Sequence, residues 1–239
     1  MKGFSQFFQR FHPLSKLQHA RQQYLMHKDC PAILQPLLQF PCPNIEDELE
    51  KLTYLVIDFE TTGLNSMIDN ILSIAALPID HLRLDLSQAW HLFIDEPQVN
   101  PETVVVNHIL PQMLNGAEQL DEAMHKLFSL MAGRIVIAHG ANIEKRFIQH
   151  YLATRYQITH FPLIWLDTLK IERSFMSPQT NVSPNYQLAT IRKNYSLPDY
   201  INHNALIDAI ATGELFLAQI HKLFGSQTKY FGEVYKRSL

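Results

Sequence analysis

Residues 53–64 read TYLVIDFETTGL. The first six are a β-branched and aromatic run that ends in an acid, the pattern of a strand buried in the centre of a sheet. Residues two apart on a strand project from the same face. Asp58 and Glu60 therefore aim two carboxylates at one volume, while Phe59 turns into the opposite layer. Two anions held that close favour a cation between them. An isolated Asp-x-Glu pair is most often an ordinary solvent-facing one. Here it stands at the C-terminal end of a predicted central strand and runs directly into Thr61-Thr62-Gly63. Gly63 permits close backbone approach to a ligand, and the two threonines offer hydroxyls and amides to it.

Working outward, NILSIAALPID (70–80) and AWHLFID (89–95) are two further strand candidates, and three strands in succession predict a meander. The order then switches to alternation. An amphipathic helix near 117–132, a strand at RIVIAH (134–139), a helix over 142–155, a strand at PLIWLD (162–167) and helices to the end follow in turn. Ser183-Pro184 supplies an N-cap with proline at the first helical position for the segment holding Tyr186, Leu188, Ile191 and Tyr195. The expected fold class is α/β, with a mixed five-stranded sheet flanked by helices over residues 51–225.

Upstream, residues 1–28 contain Lys2, Arg10, Lys16, Arg21 and Lys28 and no acid, whereas Glu46, Asp47, Glu48 and Glu50 crowd in just before the first strand. This composition boundary sets off residues 1–50 as an N-terminal extension, and residues 226–239 form a C-terminal tail. Phe4, Phe7, Phe8 and Phe11 recur at helical spacing, and Leu14, Leu17, Tyr24 and Leu25 extend the pattern past Pro13. The extension is predicted as two or three short amphipathic helices whose apolar face packs on the main domain or on a second subunit, leaving the basic residues merely solvated. A protein partner, nucleic acid or a membrane surface are the alternative uses of that face.

At 239 residues, 46% of them hydrophobic and 18% charged, the chain is long enough to bury a substantial core. A net charge of -3 excludes a protein that grips nucleic acid with a positive field over its whole surface, so any such role must be local. Cys30 and Cys42 lie in no metal-ligand or CxxC spacing, which argues against a disulfide scaffold and a structural zinc site and fits a reducing compartment. No leader-like apolar region and no bilayer-length apolar run is present, and the expectation is a cytoplasmic protein without membrane contact.

Two further clusters carry chemistry. IAHGANIEKRF (137–147) ends a strand at His139 and places Glu144 in the first turn of the next helix, where an acid alone reads as one favoured by the helix dipole. INHNALIDAIATGELFLAQI (201–220) sets His203 just before a helix that carries Asp208. A histidine in the approach to a helix can swing beside an acid one turn in. Ala205, Ala209 and Ala211 keep that part of the helix slim, as a close crossing over a strand requires.

Taken together, these motifs resemble those of the DEDDh group of 3′-5′ exonucleases, the superfamily of the DNA polymerase III epsilon proofreading subunit, over roughly residues 52–222. The first family motif matches Asp58, Glu60, Thr61, Thr62 and Gly63, and the third matches His203, Ala205, Asp208 and Ala209. The family's intermediate D-T-L segment is present as Asp167, Thr168 and Leu169, with Asp167 read as an N-cap rather than a metal ligand. Two segments depart from the family pattern. The second motif runs His139-Gly140-Ala141-Asn142-Ile143-Glu144, with glutamate in place of the fourth aspartate, and the usual H-G-I-T becomes Asn107-His108-Ile109-Leu110.

The resemblance implies a ribonuclease H-like fold and a phosphodiester hydrolase using two divalent ions, Mg²⁺ or Mn²⁺, held by Asp58, Glu60, Glu144 and Asp208. It implies His203 as general base, since an imidazole titrates near neutral pH. Thr61, Thr62, Gly63 and Leu64 would hold the terminal nucleotide of a single-stranded or frayed 3′ end, of DNA or of RNA. The competing reading is a binding or regulatory module of the same fold whose chemistry is weakened at Glu144, because a glutamate is one methylene longer and Mg²⁺ demands near-ideal geometry.

Overall fold

The computed structural model describes residues 12–26, 30–96, 109–176, 185–201 and 203–239. Its centre is the strand predicted from TYLVID, β1 (Thr53–Thr61). β1 pairs antiparallel with β2 (Ile71–Asp80) along its whole length and parallel, through Tyr54–Val56, with β5 (Ile135–Ala138). β6 (Trp165–Asp167) continues the parallel half beside β5. On the other side β2 pairs with both β3 (Arg83–Leu84) and β4 (Trp90–Phe93), so the sheet has six strands in place of the five expected. The additional strand, β3, is two residues long and too short to show any periodicity.

Nine α-helices surround the sheet among the described residues: α1 (Pro13–Met26), α2 (Gln35–Gln39), α3 (Pro111–Leu114), α4 (Leu120–Met131), α5 (Asn142–Tyr156), α6 (Thr168–Arg173), α7 (Leu188–Asn194), α8 (Ala205–Phe224) and α9 (Phe231–Arg237). Alternation along β1 sorts them into two layers. Leu55, Ile57 and Phe59 pack with Met124, Leu127 and Phe128 of α4 and Phe147 and Ile148 of α5. Tyr54 and Val56 pack with Ala205, Ala209, Phe216 and Ile220 of α8. Asp58 and Glu60 continue the second of these faces, so the pleat itself directs both carboxylates toward α8.

Ala205 and Ala209 pack against Tyr54 and Val56, as the close crossing requires, and Gly213, not singled out in the sequence, extends the slim face. A Cβ at Gly213 would lie 2.5 Å from Leu84 Cδ2 and 3.3 Å from Val56 Cγ2, so the helix crosses the sheet at a distance only a slim face allows. α7 starts later than predicted. Gln187 is its N-cap, without a side-chain cap bond, Tyr186 precedes the helix and Tyr195 follows it, while Ser183 and Pro184 lie outside the described residues.

The extension packs on the main sheet through its apolar face, since Leu14 and Leu49 share a buried cluster with Tyr54 and with Phe231 and Val234 of α9. One expectation is overturned. Arg21 is not solvated but 5% exposed, and its guanidinium donates to the carbonyls of Leu37 (2.9 Å), Phe40 (2.9 Å) and Pro162 (3.2 Å). The chain between α1 and β1 folds back with carbonyls pointing inward, and arginine has enough donors in a fixed fork to serve several of them. The aromatic run Phe4, Phe7, Phe8 and Phe11 and the changed segment Asn107-His108 lie outside the described residues. Among the described residues no helix is long and apolar enough to cross a membrane.

Candidate active site

The register of β1 against β2 slips between Glu60 and Thr61, and the strand ends in a turn that leaves Asp58 and Glu60 at the C-terminal edge of the sheet. Asn204 caps α8 by accepting from the Ile207 amide at 3.2 Å. That cap fixes the first turn, and Asp208 in it accepts from the main-chain N–H of His203 (2.9 Å) and of Asn204 (3.2 Å) through Oδ2. Asp58, Glu60 and Asp208, separated by up to 150 positions in sequence, each bring one carboxylate oxygen within 4.8 Å of the others.

No basic side chain forms an ion pair with these acids among the described residues. Burial pushes the Asp58 carboxyl far above the ordinary range, and the neighbouring Glu144, Asp208 and Glu60 push it the same way. Glu60 is raised to about 8, first by burial and then by Asp208. Asp208 is raised by burial, with the His203 and Asn204 amides pulling against it. Glu144, in the first turn of α5, is 4% exposed and raised by burial, and its Oε2 is buried without a hydrogen-bond partner.

Asp58, Glu60 and Asp208 form a close group of carboxylates with few compensating donors, the kind of oxygen set that suits a hard divalent cation. Glu144 interacts electrostatically with Asp58 and carries the orphaned oxygen.

Asp167 belongs to the framework. Its carboxylate accepts from the amides of Leu169 (3.0 Å) and Lys170 (3.4 Å), capping α6, and from those of Gly140 (3.0 Å) and Ala141 (3.1 Å) at the entrance to α5. One side chain thus ties the end of β6 to the turn that positions Glu144.

His203 is exposed, with φ +65, a left-handed conformation that its amide bond to Asp208 holds in place. It lines a pocket on the β2/β4 flank together with Glu60, Ser73, His91, Phe93 and Ile109. The volume of about 420 Å³ falls within the range of small-molecule sites. Ser73 Oγ and His91 Nε2 lie 2.7 Å apart in its wall.

In the loop after β1, the Thr61 hydroxyl donates to Gly63 O at 2.6 Å, and Thr62 Oγ1 donates to Asp69 and accepts from the Asn70 amide. A Cβ at Gly63 would fall 2.6 Å from the Asp69 carboxylate, so the close approach that demands glycine is made by Asp69. Leu64 is 67% exposed beside them.

Sequence reading missed Ser73 and His91. The available signal was a polar residue inside the otherwise apolar ILSIAAL, opposite Glu60 in the ladder. Its pairing with β4 could not be read without the register.

A sequence model of RNase_T, described as an exonuclease, matches residues 55–216. Among curated proteins, the chain is 24% identical over 174 residues to the PolC-type DNA polymerase III of Thermotoga petrophila, an alignment covering 73% of this chain and 12% of that protein. The chain therefore spans about an eighth of the length of that relative. Among solved structures, cell-death related nuclease 4 superposes with a TM-score of 0.60 at 16% identity, covering 72% of this chain and 65% of the nuclease. Exonuclease I of E. coli, in complex with a dA16 oligonucleotide, superposes with a TM-score of 0.57 at 16% identity, covering 72% of this chain and 41% of that one. These likenesses establish the ribonuclease H-like exonuclease fold.

Proposed function

Because the chain belongs to the RNase_T exonuclease family, we propose that it hydrolyses nucleic acid from the 3′ end, on DNA or RNA, with two divalent cations, Mg²⁺ or Mn²⁺. The observation that carries this reading is the convergence of Asp58, Glu60 and Asp208 within 4.8 Å, beside the orphaned Glu144 oxygen, in surroundings that hold their protons on. Such a cluster is unfavourable to the empty fold and gains its charge balance when it is loaded. An exonuclease fold with this acidic cluster implies dependence on a divalent metal.

When bound by Asp58, Glu60, Glu144 and Asp208, divalent cations would supply positive charge for the scissile phosphate and lower the pKa of water. The chain's own groups do the rest. Asp58, whose carboxyl is pushed up by burial and then by Glu144, Asp208 and Glu60, would hold the cations together with them. His203, exposed at the rim and tied to Asp208 through its amide, takes the proton of the attacking water. The water oxygen bonds to phosphorus, the bond to the 3′ oxygen of the preceding nucleoside breaks, and that oxygen takes up a proton, releasing a nucleoside 5′-monophosphate. The pocket walled by Phe93, Ile109 and Met113 next to Glu60 offers apolar surface to the terminal nucleoside. Thr61, Thr62 and Gly63 hold the terminal 3′ nucleotide, and Leu64 presses on its base.

Product analysis tests this reading, using single-stranded and duplex DNA and RNA labelled at the 5′ end, with Mg²⁺ or Mn²⁺. A ladder shortened one nucleotide at a time with release of mononucleotides is expected. Internal scission, or no turnover in either the wild type or Glu144→Asp, contradicts it. Turnover gained from near zero only in Glu144→Asp supports the weakened module instead.

A further inference from the structure

A second cleft opens on the opposite flank of the carboxylates from the Phe93 pocket. Sheet order puts β2 and β4 to one side of β1 and β5 and β6 to the other, so the carboxylate cluster at the end of β1 has a cavity on each flank. The β5/β6 cleft, about 700 Å³, is lined by Asn142, Lys170, Arg173, Asn185, Tyr186 and Gln187 among others. It begins at the first turn of α5, the same turn that carries Glu144.

Its chemistry is unlike that of the rest of a chain with net charge -3. Lys170 and Arg173 take part in no ion pair among the described residues. The one acid in the lining, Asp167, has its oxygens occupied by four main-chain amides.

Tyr186 is held in position from two directions. Its carbonyl lies 3.0 Å from His139 Nε2, whose Nδ1 lies 2.9 Å from Thr168 Oγ1, and the Arg173 guanidinium sits 4.8 Å over its ring. Unpaired cations, side-chain amides and a fixed ring and guanidinium plane are the elements by which proteins grip a single strand. The cations meet phosphates, and the planes stack on bases.

We propose that this cleft is the track for the nucleotides preceding the terminal one, with Lys170 and Arg173 on phosphates and Tyr186 with Arg173 against a base. The proposal rests on the exonuclease reading and deepens it. The Phe93 pocket takes the last nucleoside, the scissile phosphate lies over the acids where cations would sit between them, and the strand leaves past Glu144 over α6.

The test compares a substrate with no preceding strand, p-nitrophenyl thymidine 5′-monophosphate, with a single-stranded DNA dodecamer over a range of KCl concentrations. The proteins are wild type, the double variant Lys170→Gln/Arg173→Gln, Tyr186→Ala and the conservative Tyr186→Phe, each checked for folding by thermal melting. Dodecamer Kd is measured in parallel by fluorescence anisotropy.

The ratio of kcat/KM for the dodecamer to that for the ester is expected to fall about tenfold or more in the double variant and in Tyr186→Ala, and to return in Tyr186→Phe. The salt dependence of the double variant should be shallower by about 0.7 for each phosphate that is no longer neutralised. An unchanged ratio, or an equal decline on both substrates, overturns the proposal while leaving the exonuclease reading standing. If the wild type cleaves neither substrate nor an RNA dodecamer of the same sequence, the exonuclease reading fails by itself and the Kd decides. A weakened Kd with a shallower salt slope supports the track, and an unchanged one overturns it.

Discussion

Burial, joined at Asp58, Glu60 and Glu144 by neighbouring carboxylates, keeps protons on these acids and on Asp208 in the metal-free fold at pH values where an unfolded chain has already released them. Between the ordinary glutamate value of 4.5 and the value of about 8 at Glu60, the folded protein therefore binds more protons than the unfolded one. Stability of the metal-free protein should fall as pH rises through this window, because the proton-rich state is penalised as protons become scarce. Melting in EDTA is expected to show a lower Tm at pH 8 than at pH 5.5, and Mn²⁺ should restore most of the difference. Asp58→Asn should raise the EDTA Tm at pH 8 by several degrees while abolishing hydrolysis. A Tm that climbs with pH in EDTA would contradict this electrostatic account. Glu144 and Asp208, each ordinary alone, stood out only through the pairing with His203 and the family resemblance, whereas Asp58 and Glu60 were legible because they share a strand face. The partners that shape the site were not, since Asp69 behind Gly63 and His91 beside Ser73 are contacts made across strands and loops.

Strands and helices with a strong period were read at nearly their observed bounds. β2 follows NILSIAALPID, α5 follows the segment over 142–155, and Asp167 caps α6 as expected. Elements without a period were not, as β3 and the late start of α7 show. The extension illustrates a different gap. Its basic residues look alike in sequence, and only the returning carbonyls of Leu37, Phe40 and Pro162 single out Arg21 for burial. Arg21→Ala leaves these acceptors without donors and is expected to destabilise the fold by about 2–4 kcal/mol in urea unfolding. Arg21→Lys should recover little, because an ammonium lacks the planar fork that reaches several carbonyls. A loss below about 0.5 kcal/mol in Arg21→Ala would show that the buried guanidinium contributes no net stability.

Over the whole molecule the sheet, the extension and the tail share one buried cluster, in which Leu14, Leu49, Tyr54, Phe216, Phe231 and Val234 meet. The segment just before β1 and the tail also join through main-chain bonds, Phe231 N to Asp47 O at 2.9 Å and Gly232 N to Ile45 O at 3.0 Å. A Cβ at Gly232 would come within 2.7 Å of Ile45 Cβ and 3.0 Å of its backbone, where nothing flexible can yield. Gly232→Ala is therefore expected to lower stability by about 1–3 kcal/mol, while the folded fraction keeps its hydrolytic rate. An unchanged Tm would mean that this junction is loose. The composition boundary near residue 50 marked where the strand chemistry begins, but shared packing across it depends on pairings that composition does not encode. In the proposed mechanism, acids from three distant segments hold divalent cations at the end of β1. Anomalous diffraction from crystals grown with Mn²⁺ measures this most directly. Density bounded by oxygens of Asp58, Glu60 and Asp208 is expected, with Glu144 against a second peak, and Mn²⁺ bound elsewhere or not at all would contradict it.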